Sequence, residues 1–281
     1  MYKCSICTDT FNKKNYFDAH NNMHVIHEEY LIKFVKYSLD DIEYINNVPK
    51  VVFVCWFGGY GTEIPEMSQN RFNCFKNLTN NIGIPIILIT SINYKKFIKS
   101  GFPIHKSFEY LTGVHKTDYF RCYLMNHYGG GYHDIKSRSV SWINEWEKDN
   151  WLYDDDIWIY GCREKNENAI GYPPGMSHIK KEFEKMVTMG WIICKKNTPF
   201  TKKILKKIHL SLDTHYQKLK KYPGIRSGGY YSDKPFDLVP KNSYPIRWLE
   251  ILGEIFHPLM LKFTNHIKFG LPAADKSKRY K

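Results

Sequence analysis

Long apolar runs are the first thing this 281-residue chain lacks. No stretch of about 18 consecutive apolar residues occurs, so a membrane-spanning helix is not expected. The N-terminus carries no signal-peptide pattern, and the expectation is a soluble, cytoplasmic protein. Cysteine is sparse and odd in number: the seven residues, scattered beyond one Cys-x-x-Cys pair, point to reduced thiols and not to a disulfide framework. Acid is the scarcer charge, with 28 Asp and Glu against 41 Lys and Arg, for a net charge of +13. That balance favours a polyanionic partner, whether a nucleotide diphosphate, nucleic acid or an acidic glycan, without choosing among them. There is no internal repeat or low-complexity segment, which removes solenoids and disordered linkers. What is present suffices for a packed core: 43% hydrophobic and 16% aromatic residues, over a length that suits one large domain and a small appendage.

The appendage is residues 1–27. It carries Cys4-x-x-Cys7, then Phe11, Phe17, His20 and His24, the order and spacing of a two-Cys, two-His zinc finger. A hairpin supplies the two thiolates, and a helix puts His20 and His24, four residues apart, on one side; His27 is an alternative to His24. So small a unit buries too little apolar surface to fold alone, and zinc would supply much of its folding free energy. A structural or docking role suits a lone finger better than reading a DNA sequence, so a protein or nucleic-acid partner is expected through it. Residues 28–46, with Tyr30, Phe34, Tyr37 and Leu39, read as a helical linker.

Chemistry concentrates between Lys116 and Lys136. The segment reads as a helix that stops at Gly129-Gly130-Gly131 and turns directly into a strand. Asp118 and Arg121, three residues apart, project together from the helix. In an extended strand Tyr132, Asp134 and Lys136 share one side, while His133 and Ile135 take the other. Together these place Asp118, Arg121, Tyr132, Asp134 and Lys136 in one polar site.

This pattern resembles the sugar-binding signature of glycosyltransferase family 32 and its relatives, among them capsular polysaccharide transferases. Their order of Ser/Thr-Asp-x-x-Arg, then Gly-Gly-x-Tyr-x-Asp-x-Asp, is met by Thr117, Asp118, Arg121, Gly129, Gly130, Tyr132 and Asp134. A second match is Val48-Pro49-Lys50 through Trp56-Phe57-Gly58-Gly59, similar to the family's first strand, and a late His266 is a weaker echo. The resemblance covers roughly residues 47–270 and implies a GT-A nucleotide-sugar-binding fold. It implies transfer of a sugar from a nucleotide diphosphate donor to a glycan or other acceptor, with retention. It places Trp56 under the nucleobase, Asp118 and Arg121 on the sugar hydroxyls, and Asp134 and Arg121 at the reacting centre. The chain departs from the pattern at Lys136, where relatives carry the second metal-binding Asp. Either Lys136 neutralises the diphosphate, or Asp134 and His266, with the diphosphate, hold Mn²⁺ or Mg²⁺; His257 competes for the late ligand position. Two other readings stand beside the transferase: an inactive transferase fold that binds nucleic acid or protein, and an enzyme that glycosylates nucleic acid.

Elsewhere Val51–Cys55 and Ile86–Ile89 read as buried parallel strands, and 67–78 as a helix between them. Further strands are expected at 157–160 and 191–194. Thr198-Pro199 opens a helix that runs to about residue 221. Alternating strands and helices predict an α/β core with a mainly parallel sheet and a ligand site at the carboxyl ends of its strands. Residues 271–281 read as a short basic tail.

Overall fold

The computed structural model describes residues 2–3, 10–11, 14, 35–36, 38–58, 67–91, 93–224 and 243–275. The strands, in chain order, are β1 Tyr2–Lys3, β2 Thr10–Phe11, β3 Val35–Lys36, β4 Tyr44–Ile45, β5 Val48–Pro49 and β6 Val52–Trp56, then β7 Ile86–Thr90, β8 Gly130–His133, β9 Ile159–Arg163, β10 Val187–Cys194 and β11 Ile267–Phe269. The α-helices are α1 Gln69–Asn81, α2 Gly113–His127, α3 Pro199–Lys221 and α4 Gly253–Lys262. Seven strands form one sheet in the order β11-β9-β10-β8-β6-β7-β3. Only β10 runs against its neighbours; the pairs β3–β7, β7–β6, β6–β8 and β9–β11 are parallel. This is the mainly parallel α/β sheet that the alternation of elements predicts.

Alternation along β6 shows how the layers form. Val52 and Val54 enter one apolar cluster with Phe75 and Leu78 of α1 and with Trp142, Trp146 and Trp151. Phe53 and Cys55 enter the other, with Phe120 and Leu124 of α2, Ile204 and Ile208 of α3, and Met260 of α4. Both faces of the central strands are therefore covered, which is why 51–55 reads as an unbroken apolar run and not as an alternating one. Each such aliphatic or Phe side chain contributes about 1.5–3 kcal/mol by leaving water.

The helix starts follow the sequence. Thr198 caps α3, accepting from the Thr201 amide at 3.2 Å, and Ser68 caps α1 by accepting from the Arg71 amide. Thr112 caps α2 in the same way through the His115 amide. That helix ends at Gly129, whose φ of 71° and amide bond to Leu124 O (3.2 Å) make a left-handed cap. A Cβ there would also lie 2.8 Å from the Cys194 carbonyl, so the turn from α2 into β8 needs glycine twice over.

Two expected boundaries are corrected. In the described part of the helical linker, 28–46, Val35–Lys36 is instead a strand added to the sheet beside β7. Tyr44–Ile45 pairs antiparallel with Val48–Pro49. Asn46 and Asn47, at φ 43° and 64°, form the tight turn between them, a hairpin signal that the aromatic spacing obscured. The tail expected from residue 271 begins inside the fold: Leu271 and Ala274 are buried, and Pro272 O accepts from Arg138 Nη2 at 2.9 Å. Residues 276–281 lie outside the described residues. At the other end, β1 pairs antiparallel with β2. Cys4, Cys7, His20 and His24 themselves lie outside the described residues.

Candidate functional site

The carboxyl ends of β6 and β8 meet the middle of α2 and the start of β10, and the polar residues gather there. Arg121 is the hub. Its Nη2 donates to Asp118 Oδ1 at 3.1 Å and lies 3.3 Å from Asp134 Oδ1. Its Nη1 donates to the Met189 carbonyl at 2.8 Å, which ties α2 to the antiparallel strand. The guanidinium carbon sits 4.4 Å from the Tyr132 ring centre, a cation–π contact. Tyr132, wholly buried, donates its hydroxyl to Asp134 Oδ1 at 3.1 Å. Asp134 Oδ2 in turn faces Lys136 Nζ at 3.9 Å.

Exposure grades through this group. Asp118 and Arg121 are buried, whereas the side chains of Asp134 and Lys136 keep 27% and 24% of their surface open, so the outer pair is the more open to a ligand. Burial pushes the Asp118 carboxyl up to about 7, against the pull of Arg121 and with the repulsion of Asp134. Burial alone would lower Arg121, but Tyr132, Asp134 and Asp118 outweigh it and hold the guanidinium charged. Cys55, on β6 beside this group, is pushed up by burial and stays a thiol.

The strand ends at His133, yet the Asp134 amide still bonds to Gly190 O at 2.7 Å. A fully buried brace holds the turn that follows. Arg138 Nε donates to His133 Nε2 at 3.3 Å, and its guanidinium lies 4.5 Å from the Trp142 ring. Burial, with Arg138 adding, lowers His133 to about 3, so its ring is neutral and accepts on Nε2. The proton then rests on Nδ1, which donates to Asp134 O at 2.5 Å.

Trp56 ends β6, half-buried, and packs with the Val52/Val54 cluster, on the face away from α2. Arg71 joins it to the rest. This α1 side chain lies 5.1 Å from the Trp56 ring and donates from Nη1 to Ile135 O at 3.3 Å. Sequence reasoning missed Arg71, because nothing in a lone Arg on a helix shows what its tip will reach. It also missed Trp191, whose ring lies 4.9 Å from Lys136 Nζ.

His266 is not brought to the site. It precedes β11, at the amino end of a strand three places from β8, whereas Asp134 follows the carboxyl end of β8. Its ring stacks on Trp158 at 3.6 Å and 2°, and its Nδ1 lies 2.7 Å from Asp156 O. The rival His257 is buried beside Glu164, with Nδ1 accepting from the Gly171 amide at 2.8 Å. Among the described residues no group of three or more His, Cys, Asp and Glu side chains could hold a metal ion. Nor is any helix of the described residues long and apolar enough to cross a membrane.

The comparisons bear on this arrangement. Among solved structures, the chain is similar to one titled PaToxG glycosyltransferase, with 13% identity and a TM-score of 0.37 over 89% of this chain and 79% of that one. No curated protein matches the chain. A protein family described as capsular polysaccharide synthesis protein matches residues 4–223, most of the chain and all of the polar group around Arg121. The chain therefore belongs to the capsular polysaccharide synthesis protein family.

Proposed function

We propose that the protein is a glycosyltransferase of GT-A type that moves a sugar, with retention, from a nucleotide diphosphate donor to a glycan or other acceptor. One observation carries the reading: Arg121 bridges a buried acid, Asp118, and a half-open acid, Asp134, at the carboxyl end of a central strand. Such an arrangement offers fixed acceptors to sugar hydroxyls and a fixed positive charge beside them. Membership of the capsular polysaccharide synthesis protein family agrees with polymer-directed sugar transfer.

In this reading Asp118 and Asp134 accept from donor-sugar hydroxyls, and Trp56 stacks with the nucleobase, worth about 1–3 kcal/mol. Cleavage gives an oxocarbenium-like transition state and grows negative charge on the leaving diphosphate. Arg121 holds the two acids in place, and the cations beside Asp134 stabilise the leaving group. Departure and attack on one face need no protein nucleophile, and none is assigned. The domain would span residues 47–270, with the zinc finger of 1–27 as a docking unit and the cytoplasm as the site of action.

The test is donor hydrolysis and binding across a panel of UDP-, GDP-, ADP- and CDP-sugars, with Asp134→Asn as control. Turnover of one donor that the variant lacks supports the reading. A folded protein that neither binds nor turns over any donor returns the chain to a binding role, as an inactive fold. A gel shift at low salt that shows nucleic acid bound, with base-linked sugar as product, would favour nucleic acid as the acceptor.

A further inference from the structure

The transferase reading implies, through its Asp-x-Asp resemblance, a divalent cation at the diphosphate, and the side chains here do not fit one. Among the described residues Asp134 is the group's only outward carboxylate, and both its oxygens are engaged. Oδ1 accepts from the Tyr132 hydroxyl and faces Arg121; Oδ2 faces the Lys136 ammonium. Asp118 is buried, with Oδ1 bonded to Arg121, and His266 lies stacked on Trp158 elsewhere. A hard cation such as Mg²⁺ takes about six oxygens in octahedral geometry, and an ammonium and a guanidinium already occupy the approaches to this one carboxylate.

We propose that the donor's diphosphate is bound by the chain's own cations, Lys136 and Arg71, in place of a divalent ion. The inference rests on the transferase reading above and names the groups that hold its leaving group. Lys136 and Arg71 come from different elements and converge on one turn. Lys136 Nζ is held between the Trp191 ring, at 4.9 Å, and Asp134 Oδ2, at 3.9 Å. These two contacts keep the ammonium at the rim of the site. Arg71 reaches the same turn from α1, bonding the peptide oxygen of Ile135, the residue between Asp134 and Lys136. Its guanidinium lies beside Trp56, so it stands between the ring assigned to the base and the turn assigned to the phosphates.

The exchange at 136 fits this role: Lys where relatives carry Asp raises the local charge by two units, the amount that a divalent cation would supply. A lysine acts on phosphate as a point charge, and an arginine presents a planar fork of donors. The lysine would follow the charge as it grows on the leaving diphosphate, and the arginine would fix its orientation.

The experiment measures binding of UDP, GDP, ADP and CDP by calorimetry, and turnover of the matching nucleotide sugars. Each is run in EDTA and in Mn²⁺ or Mg²⁺, with thermal melts to show that every variant is folded. Expected for the wild-type chain is binding and turnover that change less than about twofold between EDTA and metal. Lys136→Ala should weaken binding at least about tenfold in both conditions, and Lys136→Arg should keep most of it. Lys136→Asp, which completes the acid pair, should lose binding in EDTA and regain it with Mn²⁺. Wild-type binding that disappears in EDTA and returns with Mn²⁺ overturns the inference while leaving the transferase reading intact. So does a Lys136→Ala or Lys136→Asp protein that binds in EDTA as tightly as the wild type. A folded wild-type protein that binds none of the four diphosphates and turns over no donor sinks both.

Discussion

Arg121 touches Asp118 and Asp134 with the same nitrogen, Nη2, at 3.1 and 3.3 Å, so neither acid is placed independently of the other. Arg121→Ala would leave Asp118 protonated near neutral pH and remove the bonds to Asp118 Oδ1 and the Met189 carbonyl. The expected cost is about 1–3 kcal/mol of stability, seen as a lower denaturation midpoint. Asp134→Asn keeps an oxygen for the Tyr132 hydroxyl and is half-open, so it should fold normally. It should still lose donor turnover by about 10²–10³-fold. Equal losses of stability in the two variants would contradict the hub arrangement.

Asp118 gives the site a pH dependence of definite sign. Its carboxyl, raised to about 7 by burial, is protonated below that pH and charged above it. Only the charged form offers full attraction to Arg121 and the stronger acceptor to a sugar hydroxyl. Binding of a nucleotide sugar, whose diphosphate does not titrate near neutrality, should tighten as pH rises through about 7 and then level off. Asp118→Asn should bind weakly, with no such rise. A flat wild-type profile between about pH 5.5 and 8.5 would sink the assignment.

His266 should behave as a packing residue. Its coplanar stack on Trp158 and its contact with Asp156 O predict a loss of about 0.5–1.5 kcal/mol in His266→Ala, read by thermal or denaturant melting. Donor binding and any response to Mn²⁺ should be unchanged. A variant whose Mn²⁺ response differs from the wild type would restore His266 to the site.

How much of this was legible in the sequence follows from the range of each signal. The turn from α2 into β8 could be read because glycine and helical spacing are local, and they bring Asp118, Arg121, Tyr132 and Asp134 together. The strand expected through Lys136 ends at His133, so Asp134 and Lys136 sit in the turn beyond it. The two buried strands could be read because both faces of the sheet are covered. His266 misled because its surroundings, Trp158 and Asp156, lie more than a hundred positions away in the chain. Arg71 escaped notice because its contacts, with Trp56 at the end of β6 and Ile135 in the turn after β8, are set by the fold and not by helical spacing. The hairpin at 44–49 was legible in Asn46-Asn47 and lost to the aromatic spacing of the segment before it.

The N-terminal cysteine–histidine pattern predicts one tightly held zinc ion per chain. Cys4→Ser or Cys7→Ser should release it, measured by elemental analysis of the full-length protein. Because the pattern lies outside residues 47–270, donor hydrolysis by these variants should stay within about twofold of the wild type, as expected of a separate folding unit. Zinc content unchanged in Cys4→Ser would dismiss the finger, and lost hydrolysis would dismiss its independence.

Gly190 supplies a test of geometry at the reacting centre. Its carbonyl accepts from the Asp134 amide, and a Cβ at its position would lie 3.0 Å from Asp134 Oδ2. Gly190→Ala leaves that backbone bond untouched but presses on the carboxylate from below. Asp134 contacts Tyr132, Arg121 and Lys136, so a shift of a few tenths of an ångström changes the length of those contacts. Catalytic groups displaced by a few tenths of an ångström to one ångström lose rate steeply. The expected outcome is at least about a tenfold fall in donor turnover with a melting temperature within about 2 °C of the wild type. A variant with normal turnover would mean that the exact seat of the Asp134 carboxylate is unimportant, and that the chemistry is centred on another residue.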